Sequence, residues 1–182
     1  MILFDLPIYQ FVMNIFPPTN LMTIIMKFIT TLGSTLVIVS GILSVAILFK
    51  NKKYFKVFFI ANAIGVILNN LLKIIFKRSR PTTTMVLTSE SSYSFPSGHS
   101  MMSMIFYGLI IYYVIKNVNK KWLRNSLVIF LSVIILFIGI SRIYLGVHYA
   151  TDVFCGFLFG AIYLVSFIKI LNNKSKKTNS NI

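Results

Sequence analysis

The chain has 182 residues, of which 57% are hydrophobic, and its mean hydropathy is +0.83. A composition this apolar excludes an ordinary soluble domain, and the length suits a single membrane domain. The formal net charge is +15, with three acidic residues against eighteen basic ones. The basic residues cluster between apolar runs, which is typical of topology signals beside anionic lipid and argues against nucleic acid as a partner.

The N-terminal segment, residues 1–26, is apolar but is interrupted by Asp5 and by prolines. It has neither a basic n-region nor a long h-region, which argues against a signal peptide. We predict an interfacial helix over Ile8–Phe16. The segment before Lys27 carries a single side-chain charge, so an extracytoplasmic N-terminus is permitted.

Five charge-free runs follow, and each predicts a helix that crosses the bilayer. They cover residues 28–49, 57–72, 101–115, 125–141 and 153–168. The first run has the length of a full span, and the four shorter ones lengthen through flanking residues. The predicted fold is therefore all-α, a multi-pass membrane helix bundle of about five transmembrane helices over residues 27–171. Residues 172–182 are predicted to form a disordered cytoplasmic tail.

Lysine-rich clusters lie between the first and second runs, between the third and fourth, and after the fifth. With five spans all three clusters fall on one side of the cell membrane. The positive-inside rule predicts that this side faces the cytoplasm. The connections over residues 73–100 and 142–152 then share the extracytoplasmic face. These two connections carry all the polar motifs of the chain.

His148 and Asp152 are four residues apart, so a helix through them places both side chains on one face. A carboxylate that accepts a hydrogen bond from one imidazole nitrogen leaves the other free as a nucleophile or general base. A pair that only satisfies itself at a helix end is the structural alternative. Arg142, six residues upstream, favours the functional interpretation because a guanidinium suits bidentate phosphate binding.

The run Pro96-Ser97-Gly98-His99 precedes the third apolar run. Proline and glycine predict a turn, and the helix that follows offers unpaired backbone N–H groups that attract phosphate. His99 at this point could protonate a leaving oxygen. An ordinary helix cap with an incidental histidine is the alternative.

Lys73, Lys77, Arg78 and Arg80 crowd the end of the second run. Such residues are usually interfacial anchors, but these lie on the predicted extracytoplasmic face, where few are expected. Pro81 ends the helix after Arg80, and Lys73 lies about two turns earlier, so both cations can reach one side. Lys77 and Arg78 are interpreted as anchors or as attraction for an anionic headgroup.

Acidic residues near these motifs are limited to Glu90 and Asp152, too few for a two-metal carboxylate cage. The sequence therefore predicts no metal and no cofactor, with cationic side chains and helix N–H groups balancing the phosphate charge. It contains no P-loop and no Gly-x-Ser-x-Gly motif, so ATP use and serine hydrolase chemistry have no support.

Together these stretches resemble the signature motifs of the type 2 phosphatidic acid phosphatase superfamily, which vanadium-dependent haloperoxidases share. The stretches are Lys73-x6-Arg80-Pro81, Pro96-Ser97-Gly98-His99 and Ser141-Arg142-x5-His148-x3-Asp152. The resemblance extends over about residues 28–168. Within the superfamily, residues 91–100 and 139–152 are similar to the bacterial phosphatidylglycerophosphatase B group.

The resemblance implies a role for each motif residue. His148 would attack phosphorus to form a phosphohistidine, Asp152 would orient His148, and His99 would act as the general acid. The groups that would hold the phosphoryl oxygens are Lys73, Arg80, Ser97, Gly98 and Arg142. Bacterial relatives of this kind often have six spans, so either a first span is absent here or the true start of the protein lies upstream.

The predicted function is an integral membrane lipid phosphatase whose partners are the bilayer and a lipid substrate. Undecaprenyl pyrophosphate and phosphatidylglycerophosphate are the leading substrates, with phosphatidic acid as a competitor. Haloperoxidase chemistry is one alternative, which membrane spans disfavour. A non-catalytic lipid-binding or transport protein is the other, and the intact His99, His148 and Asp152 argue against it.

Overall fold

A computed structural model describes residues 4–49, 52–82 and 91–180. These residues form seven α-helices, with no strand among them. In chain order they are α1 (Asp5–Ile15), α2 (Asn20–Thr31), α3 (Thr35–Phe49), α4 (Lys52–Phe76), α5 (Gly98–Asn117), α6 (Lys121–Tyr144) and α7 (Ala150–Ser180). The prediction of an all-α, multi-pass helix bundle is confirmed.

The four helices α4 to α7 are each long and apolar enough to cross a membrane. Helices α1 and α2 meet at an angle of 117° and pass the same test only as a bent pair, so the described residues provide four or five candidate spans. Helix α5 lies at the centre, packed against α4, α6 and α7. Its residues Ile105 and Leu109 are fully buried, whereas the outer faces of its neighbours expose large apolar side chains, as lipid contact requires.

The first predicted span, Phe28–Phe49, is not one continuous helix. Three residues, 32–34, separate the end of α2 from the start of α3. The Leu32 carbonyl at this break accepts a hydrogen bond of 2.9 Å from the Tyr107 hydroxyl of α5, which satisfies a group that the helix end leaves unpaired. The run was predicted as one span because it carries no charge, although Thr30-Thr31 and Gly33-Ser34 interrupt its hydrophobicity at the break.

Gly33 lies in this break and allows the chain there to pack closely against α5 and α6. A Cβ at Gly33 would lie 2.7 Å from Ile138 Cγ2 and 3.3 Å from His99 Cδ2. The absence of a side chain therefore lets the α2–α3 connection rest directly against one of the predicted catalytic histidines.

The two ends of the chain also differ in detail from the sequence interpretation. The predicted N-terminal helix begins earlier, at Asp5, and packs against α6 and α7 through buried Val12. At the other end, α7 continues through Ser180, where a disordered tail was predicted from residue 172. No glycine or proline follows Gly160, so nothing in the sequence stops the helix.

Candidate active site

The three motif-bearing stretches meet at one end of the bundle. The Ser97 N–H donates a 3.0 Å hydrogen bond to the Asp152 carbonyl, which joins the start of α5 to the start of α7. The Arg80 guanidinium donates to the Val147 carbonyl at 2.7 Å, which joins the end of α4 to the α6–α7 connection. The connections that were predicted to share a face are therefore in direct contact.

His148 and Asp152 lie side by side just before and within the first turn of α7. Both are buried, and His148 Nδ1 is 3.4 Å from Asp152 Oδ2. His148 Nε2 is 3.4 Å from Arg80 Nη1. One imidazole nitrogen thus faces the carboxylate and the other faces a cation, as a phosphate-directed nucleophile requires. Both separations exceed an ordinary hydrogen bond, as is common in catalytic sites without substrate.

The Asp152 carboxylate is held by three groups besides His148. Its Oδ2 accepts from the Ser94 hydroxyl and from the Tyr149 N–H, the latter at 3.0 Å. Its Oδ1 accepts from Arg78 Nη1. With both oxygens engaged, the carboxylate is fixed in the orientation that presents Oδ2 to the imidazole.

The contacts of Arg78 differ from those expected of an interfacial anchor or of a residue that attracts an anionic headgroup, the two roles that the sequence predicted. Its guanidinium contacts Asp152, donates to Thr151 Oγ1 at 2.7 Å and pairs with Asp5 Oδ2 at 2.8 Å. It also lies over the Tyr149 ring, 4.0 Å from the centroid. An interfacial anchor is surrounded by water and lipid headgroups, whereas the Arg78 side chain forms ion pairs with two buried carboxylates.

Asp5 is the second residue that the sequence interpretation missed. The sequence contains an indication that Asp5 has a specific partner, because it is one of three acidic residues in a strongly apolar chain. A charged group within an apolar membrane segment is costly and usually has a functional partner.

Lys73 and Arg80 are brought together by the segment that precedes α5. Arg80 donates to the Ser92 carbonyl at 2.7 Å and to Ser92 Oγ at 3.1 Å. Lys73 donates to the Tyr93 carbonyl and lies 3.5 Å from Ser92 Oγ. Both cations line an open cavity of about 900 Å³, together with Arg78. The predicted proximity of Lys73 and Arg80 is therefore present in the structure.

The start of α5 has the form that its sequence predicted, with one difference. Ser97 is the N-cap of α5, and its Oγ accepts from the Ser100 N–H at 3.5 Å and from Ser100 Oγ at 3.0 Å. Ser97 is fully buried, so its hydroxyl caps the helix, whereas the resemblance assigned it to phosphate. Arg142 is also buried and donates to Thr30 Oγ1 of α2 at 2.9 Å.

His99 and His148 line different cavities. His99 and Gly98 border a cavity of about 400 Å³ between α3, α4 and α5, which also includes Asn69 and many apolar side chains. His148 borders a much smaller space of about 20 Å³ beside Asp5.

Among the described residues no group of three or more His, Cys, Asp or Glu side chains could hold a metal ion. Glu90 lies outside the described residues.

Burial lowers the pKa of His148 from 6.5 to about 4, because a buried imidazolium loses its hydration. Contact with Asp152 opposes this shift, and the charges of Arg142 and Arg80 reinforce it. We therefore expect His148 to be neutral at pH 7 and to gain a proton only as the pH falls through about 4.

The chain has two histidines, so NMR titration of ¹³C-labelled histidine will give two signals, which a His99→Asn variant assigns. A His148 titration near 6.5 would contradict the burial of the imidazole.

Comparisons with known proteins identify the family of this chain. The family model of the PAP2 superfamily matches residues 54–176. Phosphatidylglycerophosphatase B of Bacillus subtilis (strain 168) is 41% identical over 112 residues, which cover 61% of this chain and 54% of that protein. Lipid phosphate phosphatase gamma of Arabidopsis thaliana is 28% identical over 116 residues, which cover 60% of this chain and 50% of that protein. The chain thus spans about half the length of the curated relatives it matches.

Two crystal structures share the fold over almost the whole chain. The transmembrane PAP2-type phosphatidylglycerolphosphate phosphatase from Bacillus subtilis superposes with a TM-score of 0.81 at 29% identity, covering 93% of this chain and 85% of that one. Aquifex aeolicus LpxE gives a TM-score of 0.72 at 25% identity, covering 91% and 94% respectively. Because the family model spans most of the chain and its motif residues converge at one end of the bundle, the chain belongs to the PAP2 superfamily.

Proposed function

We propose that this chain is an integral membrane lipid phosphatase that works through a phosphohistidine intermediate. The observation that carries the proposal is the placement of the two His148 nitrogens. Nδ1 lies 3.4 Å from a buried carboxylate oxygen of Asp152, and Nε2 lies 3.4 Å from a guanidinium nitrogen of Arg80. An oriented nucleophile beside a phosphate-binding cation is the minimal arrangement for transfer of a phosphoryl group to the protein itself.

The reaction proceeds in two displacements. His148 Nε2 forms a bond to phosphorus while the bond from phosphorus to the lipid oxygen breaks, and His99 gives its proton to that oxygen. Water then attacks phosphorus, the P–N bond breaks, and His99 takes the proton that the water loses. Asp152 stabilises the charge that develops on the imidazole in both steps.

The phosphoryl oxygens are held by the cationic groups at this end of the bundle. Lys73, Arg80 and Arg142 supply the positive charge, and the backbone at Gly98 supplies N–H groups at the start of α5. No metal or cofactor takes part in this scheme. The charge that develops on the transferred group is balanced by side chains of the protein alone.

The substrate is a lipid that carries a terminal phosphate or pyrophosphate. The apolar lining of the cavity beside His99 supports a lipid leaving group. The names of the relatives point to the same class, since they include a phosphatidylglycerophosphatase and a lipid phosphate phosphatase. Phosphatidylglycerophosphate and undecaprenyl pyrophosphate are the leading candidates.

The site faces the extracytoplasmic side of the cell membrane, and the C-terminus is cytoplasmic. The support is the distribution of charge along the bundle. Lys53 and Lys56 lie at the end of α4 opposite to the motif residues, and the other lysine clusters belong to the same side in a chain of five spans.

Purified protein in detergent is expected to release phosphate from at least one of three lipids, with no loss on addition of EDTA. The lipids are undecaprenyl pyrophosphate, phosphatidylglycerophosphate and phosphatidic acid, and their ranking by kcat/KM identifies the physiological substrate. Equal turnover of soluble sugar phosphates would contradict lipid specificity. Loss of activity in EDTA, restored by a divalent cation, would contradict the metal-free scheme. No release from any lipid would favour a non-catalytic lipid-binding protein.

A further inference from the structure

Asp5 is a buried carboxylate that lies outside the region matched by the family model. Its side chain is 1% exposed. Oδ1 accepts hydrogen bonds of 2.9 Å from the Thr151 N–H and of 2.9 Å from Thr151 Oγ1, and Oδ2 pairs with Arg78 Nη2 at 2.8 Å. A buried charge is tolerated when it is paired and hydrogen-bonded, and both oxygens of Asp5 meet this condition.

The position of Asp5 between two helix starts strengthens this arrangement. Asp5 is the first residue of α1, and Thr151 is the second residue of α7. The amino ends of both helices favour a negative charge, because their first N–H groups have no partner within the helix. Asp5 therefore ties the start of α1 to the start of α7, where Asp152 follows in the next position.

Arg78 connects Asp5 to Asp152. One guanidinium nitrogen contacts Asp5, the other contacts Asp152, and the Tyr149 ring supports the guanidinium face at 4.0 Å. A planar group with two carboxylate partners and a ring beneath it cannot turn without losing contacts. Its contact with Asp152 Oδ1 in turn leaves Oδ2 facing His148.

We propose that Asp5 and Arg78 are positioning residues for the phosphoryl transfer. Asp5 holds Arg78, and Arg78 holds the Asp152 carboxylate in the orientation that directs His148 Nε2 toward phosphorus. Helix α1 thereby completes the active site from outside the family motifs. The inference rests on the proposed function for its chemical step, whereas the orientation of His148 can be measured without turnover.

The kinetic test is a double-mutant cycle in single-turnover conditions, with the ³²P-labelled form of whichever of the three lipids the wild type turns over fastest. Asp5→Asn keeps the shape of the side chain and an acceptor for Thr151 but removes the charge. We expect phosphohistidine formation to slow about 10-fold in Asp5→Asn and about 100-fold in Arg78→Gln, the range typical for supports of catalytic ligands. Because Asp5 acts through Arg78, the double variant should be no slower than Arg78→Gln. With active enzyme in saturating excess over lipid, the observed rate constant does not depend on the active fraction of each preparation.

Val12→Ala is the matched control, since Val12 is buried on the same helix in an apolar cluster that includes neither Asp5 nor Arg78. It should lower the thermal unfolding temperature and leave the rate constant per active site unchanged. Independent, multiplicative losses in the double variant would overturn the proposal. So would an Asp5→Asn rate equal to that of the wild type, or an equally slow Val12→Ala variant.

The ¹³C signal of His148 separates this inference from the proposed function. Asp5→Asn and Arg78→Gln should each move the signal, the double variant should not move it beyond Arg78→Gln, and Val12→Ala should leave it in place. An unmoved signal in both single variants would refute the positioning role. If the wild type forms no phosphohistidine, the proposed function is wrong, and the NMR comparison alone decides whether Asp5 and Arg78 orient His148.

Discussion

The His148→Ala variant is expected to release phosphate from lipid about 10³-fold more slowly than the wild type, or slower still, and to form no labelled phosphoenzyme. His148 supplies the only proposed nucleophile, and its loss removes a whole chemical step and not just one binding contact. The measurement is phosphate release together with acid-labile ³²P labelling. Retained labelling in this variant would show that another residue attacks phosphorus.

The matched comparison is His99→Ala, tested with two kinds of leaving group. A lipid alkoxide needs a proton as it departs, whereas the p-nitrophenolate released from p-nitrophenyl phosphate does not. Activity of His99→Ala toward p-nitrophenyl phosphate should therefore exceed its activity toward lipid, relative to the wild type. His148→Ala should be inactive toward both. Equal losses for the two substrates in His99→Ala would contradict its role as general acid.

The Gly156→Ala variant is expected to have the second-largest effect, although Gly156 belongs to none of the motifs. A Cβ at this position would lie 2.7 Å from the Ser97 carbonyl oxygen and 3.0 Å from Ser100 Cβ. The obstructing atom belongs to the backbone, so the start of α5 or α7 must move. Overpacking of this kind costs about 1–3 kcal/mol in free energy of unfolding. A displacement of about 1 Å at the site costs roughly 100-fold in kcat.

Gly108→Ala provides the control for this prediction. Its Cβ would meet Leu164 Cδ2 at 2.5 Å, and that methyl group is the end of a flexible side chain that can rotate away. Gly108→Ala should therefore retain most of its activity. Measurement of kcat and of the thermal unfolding temperature for both variants distinguishes a displaced active site from general instability. Equal kcat values in the two variants would contradict the close approach of α7 to the start of α5.

The sequence predicted the helices of the bundle well where hydrophobicity is the dominant physical requirement. Helices α4 to α7 follow from their apolar runs, because lipid demands apolar surface and internally satisfied backbone. The break before Thr35 did not follow, since it depends on a contact of Gly33 with His99 and on a hydroxyl of Tyr107. Both partners belong to α5, more than sixty residues away. The local signal, Gly33-Ser34 after two threonines, was outweighed by the absence of charge from the run.

In the candidate site, too, features set by local sequence could be predicted, and features set by distant contacts could not. His148, Asp152 and Arg80 could be assigned because the spacing within each short motif already limits where the side chains can point. The partnership of Asp5 with Thr151 spans 146 residues and depends on how α1 docks, which periodicity does not specify. Ser97 could be placed at the start of α5, but whether its hydroxyl caps the helix or meets phosphate depends on its burial.

The cavity beside His99 has a consequence for how the proposed lipid substrate reaches the site. Its lining includes three apolar side chains that are each exposed, Val39, Phe59 and Val66. We therefore expect the cavity to open sideways into the lipid layer. A substrate that enters there arrives by diffusion in two dimensions, so the reaction rate follows the mole fraction of substrate in the surface. Adding inert lipid or detergent dilutes that surface and slows the reaction, even when the amount of substrate per volume of solution is constant.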